Sequence, residues 1–186
     1  MSNERLYIYL RNSIDWAFSC NTKSNALDKN NIISGVFGSK CLVPPWAFSQ
    51  TPFVHAVNAL EEHEKTLVKF VVGLDVTETE VVNLTVPLWL AFYKEYLVFH
   101  RLNAASVPKA QRLLEFALIN YKLSVAQQPL IENKKIMHAI SVNDSKTFRR
   151  DWKPRLIVMD AVIRQMEHTA LNKVATTLDK KRKKHA

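Results

Sequence analysis

Apolar residues recur at three- and four-residue steps along most of this chain, and nowhere alternate with polar ones over a useful length. That period lays side chains along one face of an α-helix, whereas a half-buried strand needs a period of two. Leu6, Tyr7, Leu10, Ile14 and Phe18 form the first such face, over about 3–19. Glycine points the same way. Only Gly35, Gly38 and Gly73 occur in 186 residues, so few positions are free to adopt special dihedrals. The expected fold is all-α: a multi-helix orthogonal bundle with a helix-turn-helix-like pair and a long C-terminal helix.

Local signals divide the chain further. Turn formers over 21–31 end the first face, and a short helix over about 26–37 follows, with Leu27, Ile33, Val36 and Phe37 inward. Pro44 and Pro45 favour an extended loop over 38–52, where Trp46 fills a hydrophobic gap. Thr51 as N-cap and Pro52 as first helical residue open a helix. Val54, Val57, Leu60, Leu67, Val68 and Val71 carry that helix to Gly73. Thr77 and Glu80 have the spacing of a capping box. Pro87 should then separate a short helix from a second one over about 87–100. Ser106 and Pro108 start the next helix, with Val107, Ala110, Leu114, Ala117, Leu118 and Tyr121 inward. Beyond Pro129 a helix should turn Leu130, Met137 and Ile140 inward, with a turn over 143–148. From Pro154 the stripe Leu156, Met159, Ile163, Met166, Ala170, Val174 and Leu178 is close to a heptad seam. It either docks on the core or joins a second copy, giving a homo-oligomer through 154–178. The division expected is a helical core over 1–148, holding the helix pair at 88–123, and a basic helix and tail over 149–186.

Several function classes find no support. No 18-residue uncharged apolar run is present, so no membrane span is expected. The opening "MSNERLYIYLRNS" places charges inside its apolar pattern, unlike a secretory signal, and a cytoplasmic protein is expected. No clustered glycines form a phosphate loop, and no nucleophile elbow occurs. Cys20 and Cys41 form no CxxC pair, and His55 and His63 stand eight residues apart. No metal or cofactor is expected. Glu61, Glu62 and Glu64 crowd one turn and read as a solvated face rather than opposed catalytic carboxylates. An enzyme is not expected.

Charge is the positive signal. The formal net charge is +9, and residues 149–186 carry eleven Lys/Arg against four Asp/Glu. Such asymmetry suits a polyanion, most simply duplex DNA. The terminal "DKKRKKHA" reads equally as a soluble, frayed tail. Two segments are more specific. In "RLNAASVPKAQRLLEFALINYK", a first helix over 88–100, a turn from Arg101 to Ala105 and a second helix from Ser106 would make a helix-turn-helix. Lys109, Gln111, Arg112 and Glu115 then face outward. Arg pairs with guanine, Gln with adenine and Lys with guanine or phosphate, while the Ser106 end offers backbone N–H groups to a phosphate. Any amphipathic helix carries such an outer face, so a plain core helix is the competing reading. In "FRRDWKPRL", Arg149, Arg150, Lys153 and Arg155 surround Trp152. The cations suit a phosphate backbone, and the Trp suits a staple that anchors the last helix.

The order of "IDWAFSC", "PPWAFS", "FVHAVNALEEHEKTLVKFVVGL", a helix pair and a basic C-terminal part resembles the phage late-gene antitermination proteins of the Q type, over about 14–122. The resemblance implies binding to a DNA site near a late promoter, loading onto a paused host RNA polymerase with contacts to its sigma factor, and read-through of terminators. Some members carry a zinc-binding cysteine cluster. This chain has none and would match a zinc-free branch. The alternative is a helical protein-interaction or phage accessory module that does not bind DNA.

Overall fold

The first apolar face forms as its spacing requires. In α1 (Asn3–Asn30), Tyr7, Leu10, Ile14 and Ala17 are buried, flanked by half-buried Leu6 and Phe18. The computed structural model describes residues 3–30, 45–97 and 102–184, with side chains over 4–18, 52–96 and 102–180. α1 runs past its expected end, through the Asn/Ser/Lys segment. Those residues cost only tenths of a kcal/mol each in a helix, and neither Gly nor Pro lies there to stop it. The rest of the expected 26–37 helix lies outside the described residues.

α2 (Pro45–Asn58) starts seven residues before Pro52, the expected first residue. Pro45 takes the first-turn role, where a missing N–H costs nothing, and Pro52 sits inside the helix. The side chains of Trp46 and Thr51 lie outside those described. A turn at 59–61 then divides what was expected as one helix to Gly73, and α3 (Glu62–Val72) follows. The apolar stripe skips from Leu60 to Leu67, and Glu61, Glu62 and Glu64 place negative charge where a helix N-terminus is positive. Gly73 closes α3 at φ 86, as the sequence indicates, with Leu74 N–H reaching Lys69 C=O at 3.0 Å.

The Thr77–Glu80 capping box is present. Thr77 N–H donates to Glu80 Oε2 at 2.8 Å, and Glu80 N–H to Thr77 Oγ1 at 3.3 Å. It opens α4 (Glu78–Leu97), a single helix with Pro87 inside it and not the two helices expected. Proline removes the bond to Asn83 C=O, but Asn83 is exposed to water, and fully buried Leu84 and Leu88 hold both neighbouring turns on the core. α5 (Val107–Val125) buries Ala110, Leu113, Leu114, Ala117, Leu118 and Tyr121, the expected face with Leu113 added and Val107 half-buried. α6 (Asn133–Ala139) buries Ile136, with Ile140 behind it. Leu130, expected inward, is exposed because the helix begins three residues after it.

The expected 143–148 turn is largely helical. Asp144 accepts from Lys146 and Thr147 N–H and caps α7 (Ser145–Thr147), a single turn. A π-helical turn, Phe148–Trp152, continues into α8 (Lys153–Lys184). Phe148 and Trp152 both enter the core there, so the Trp acts as the staple that its place before a long helix suggested.

α8 crosses two clusters. Its first half packs with α3–α6, where Met159 and Ile163 meet a core that includes Leu88, Phe92, Leu114 and Trp152. Its second half brings Ala170, Leu171 and Val174 against Tyr7, Leu10 and Ile14 of α1 and Val57 of α2. Within the near-heptad stripe Met159, Ile163, Ala170 and Val174 are buried against the chain's own helices, and Leu156, Met166 and Leu178 are half-buried. No strand occurs among the described residues.

Two helix ends carry non-glycine residues in left-handed geometry. Gln127 (φ 54) follows α5 and Ser141 (φ 53) follows α6. Each sits in a six-to-one closure: Gln128 N–H reaches Leu123 C=O at 2.8 Å, and Val142 N–H reaches Met137 C=O at 2.9 Å. Left-handed geometry penalises a Cβ but not glycine. Gln127→Gly should therefore raise unfolding stability by about 0.5–1 kcal/mol in urea titration, the steric relief exceeding the entropy glycine adds to the unfolded chain.

His168 lies where α8 meets α1, stacked on the Tyr7 ring at 4.1 Å. Burial chiefly, with help from the Arg11 and Arg164 charges, holds its imidazole below the ordinary value against the opposing pull of Glu167 and Glu4. As pH falls below about 6.5 the unfolded chain takes up this proton before the folded one does. This contribution to stability is therefore full above that pH and is lost toward the lower folded value. Thermal melts between pH 7.5 and 5 should show a fall in Tm that His168→Phe reduces.

Candidate nucleic-acid interface

Three long-range contacts fix the expected basic segments in the fold. Arg155, on the first turn of α8, donates from Nε to the Tyr96 hydroxyl at 2.9 Å, near the C-terminus of α4. Lys109, on the first turn of α5, donates from Nζ to Ser141 C=O at 3.2 Å, four residues before α7 begins. Further along, Tyr121 of α5 meets Glu167 and Arg164 of α8. The first contact ties the start of α8 to the end of α4, and the second ties the start of α5 to the segment that leads into α7 and the π turn.

Gln111, Arg112, Arg149, Arg150 and Lys153 are exposed. Arg150 is held by its neighbour: Nε and Nη2 donate to the two Asp151 carboxylate oxygens at 2.8 and 2.9 Å. This bond raises the guanidinium's pKa and holds the Asp151 carboxyl below its ordinary value. Lys146 is exposed one turn earlier and belongs to the same surface. Sequence reading passed over it because its segment was taken as a turn, although it stands three and seven residues before Arg149 and Lys153. The acids in the neighbourhood are Asp144, Asp151 and Glu115. Asp144 is engaged in capping, and hydrogen bonds from Thr147 and from backbone N–H groups hold its carboxyl low.

Other expected site residues have different surroundings. Arg155 is half-buried, its guanidinium 4.5 Å from the Trp152 ring centroid and 5.5 Å from that of Tyr96, so it braces the α4–α8 junction. Ser106 does not cap α5 with its side chain. Asn103, extended at φ −76 and not left-handed, accepts the Ser106 N–H on Oδ1 at 2.9 Å and starts a 3-10 turn over Ala104–Ser106. The Val107 N–H is taken by Ala104 C=O, and Pro108 has none, so the donors foreseen for a phosphate are occupied. Arg101 lies outside the described residues. Residues 98–100, the expected end of the first helix of the pair, also lie outside the described residues.

Among the described residues no three His, Cys, Asp or Glu side chains are grouped to hold a metal. Glu62 pairs with Lys65 at 2.7 Å in the expected solvated fashion, but Glu64 is buried and paired with Lys173 of α8, against the expectation for all three glutamates. Among the described residues no helix is long and apolar enough to cross a membrane.

No curated protein and no solved structure matches the chain. A family model described as phage antitermination protein Q matches residues 33–186, which takes in the helix pair and all of α8, beyond the 14–122 stretch that carried the resemblance. By that match over most of its length, the chain belongs to the phage antitermination protein Q family.

Proposed function

We propose that this phage antitermination regulator holds duplex DNA on the end where α5, the π turn and α8 begin, and acts on host RNA polymerase bound nearby. The observation that carries the reading is that Arg112, Lys146, Arg149, Arg150 and Lys153 are all exposed, on α5 and on a segment just after Ser141, whose C=O binds Lys109 of the first turn of α5. Arg112 and Gln111 are the candidate base readers, on the outer face of α5 near its start. Arg149, Arg150, Lys153 and Lys146 are the candidate phosphate contacts. Lys109 keeps two N–H donors beyond its bond to Ser141 and can add a phosphate contact. Ser106 and Arg155 serve the fold in this reading.

A protein partner is supported by a separate surface. Residues 81–93 of α4 contain no charged side chain, and Val82, Val86, Leu90 and Tyr93 are exposed along it. Such a strip on a helix of this kind suits a protein surface, assigned here to the polymerase or its sigma factor. The setting is the host cytoplasm.

A fluorescence anisotropy titration of duplex DNA at about 50 and 200 mM salt tests the DNA reading, with an affinity loss of about a hundredfold or more expected. Absence of binding at the lower salt would remove it and favour the interaction-module alternative. Copurification with host RNA polymerase, lost on Leu90→Asp, tests the second surface.

A further inference from the structure

Among the described residues, one buried side-chain polar atom has no hydrogen-bond partner: Oε2 of Glu64. Glu64 stands on the first turn of α3 and is 6% exposed. Lys173 Nζ donates to its other oxygen at 2.6 Å. A buried acceptor without a donor is rare in folded proteins and calls for a partner from outside the chain.

Glu64 stands in the wall between two hollows. One, of about 560 Å³, lies on the Lys173 side and is bordered by Glu61 and Thr177. The other, of about 280 Å³, lies between α3, α4 and α8 and is not bordered by Lys173. Glu64 borders both, and its Oε2 has no bond within the chain. The terminal torsion of a glutamate is soft, so a small rotation turns Oε2 toward a donor that enters. Ala91, Val162 and Met166 give the hollow apolar walls, and Glu95 adds an acid at its rim beside Lys94. The volume lies below the usual range for nucleotides and drug-sized ligands and suits a single side chain. An apolar sleeve with a carboxylate at its base fits a hydrocarbon stem that ends in a cation.

We propose that this hollow is a receptor site for an alkylguanidinium or alkylammonium group, with Glu64 as its principal acceptor and Glu95 at its mouth. The group is the head of an arginine or lysine of a protein partner, or that of a free amine. The assignment does not depend on the DNA reading.

The test uses the full chain, followed by two-dimensional NMR while N-acetyl-arginine methylamide, agmatine or uncharged N-acetyl-citrulline methylamide is added. The arginine amide should shift signals of His63, Ala91 and Met166, with citrulline at least about tenfold weaker. Glu64→Gln should weaken binding about tenfold to a hundredfold. Ala91→Leu fills the hollow without touching the Glu64–Lys173 pair and should abolish binding. Circular dichroism verifies that both variants are folded. Binding of the arginine amide alone supports a protein side chain as the source, and equal binding of agmatine supports a free amine. No shift at these residues up to tens of millimolar, or equal affinity in the native chain and both variants, would overturn the site and leave Oε2 to an ordered water.

Discussion

Glu167→Ala should destabilise the protein by about 3–5 kcal/mol, read as a lower urea midpoint at unchanged m. Glu167 is fully buried, on the stretch of α8 that joins the two clusters. Arg11 of α1 donates to it twice, from Nε to Oε1 at 2.8 Å and from Nη2 to Oε2 at 2.5 Å. The Tyr121 hydroxyl of α5 donates to Oε2 at 2.5 Å and accepts from Arg11 Nη2 at 3.1 Å. One carboxylate thus ties three helices that are far apart in sequence. Burial works against the Arg11 charge, but the Glu167 hydrogen bond and charge, aided by Tyr121, more than offset it and raise the guanidinium's pKa. The Tyr121 hydroxyl is pushed up, first by burial and then by the negative charge of Glu167. Alanine would leave a half-buried cation and a buried hydroxyl without their acceptor, which costs more than the pair itself contributes. Glu167→Gln keeps the volume and one acceptor and should cost less. Tyr121→Phe should cost about 1–2 kcal/mol.

The second large effect concerns DNA. Changing Arg112, Arg149, Arg150 and Lys153 together to alanine should lower duplex affinity roughly 10²- to 10³-fold at about 0.15 M salt, from counterion release alone. All four side chains are exposed, so the far-ultraviolet circular dichroism spectrum should stay that of the native chain. Among the single changes, Arg112→Ala should also relax sequence preference, because its place near the start of α5 suits a base edge. Arg149→Ala should weaken all sequences alike.

Much of the fold was legible because it is written in nearest-turn patterns. The faces of α1 and α5, the Thr77–Glu80 box and the Gly73 stop each depend on residues within one or two turns. The departures share a different cause. Pro52 and Pro87 are local breakers, but the turns around them are held by distant packing, as with Leu84 and Leu88. Glu64 pairs with a lysine 109 residues away and Glu167 with an arginine 156 residues away, separations that no local spacing reports. A trace of Glu167 was nonetheless present. It stands three and four residues from Ala170 and Ile163 on the apolar stripe of α8, as Arg11 stands three and four from Ile14 and Tyr7 in α1. A charge inside each of two apolar faces is the signature of a buried pair. The basic surface was legible by composition but not by assembly. The Lys109–Ser141 and Arg155–Tyr96 contacts tie the basic segments to partners 32 and 59 residues away, which no local spacing reports. Those contacts also show that Arg155 and Ser106, of the right residue types, are occupied within the fold.

The most direct test of the DNA surface is the slope of log K against log salt for three chains: the native one, the four-alanine variant, and one lacking Lys180 to Lys184. Each lost phosphate contact should flatten the slope by about 0.9, so the four-alanine chain, which loses those of Arg149, Arg150 and Lys153, should fall by about 3. The tail-deleted chain should keep most of the native slope. A four-alanine chain with native slope, together with a tail-deleted chain that no longer binds, would place DNA on the tail and contradict the account.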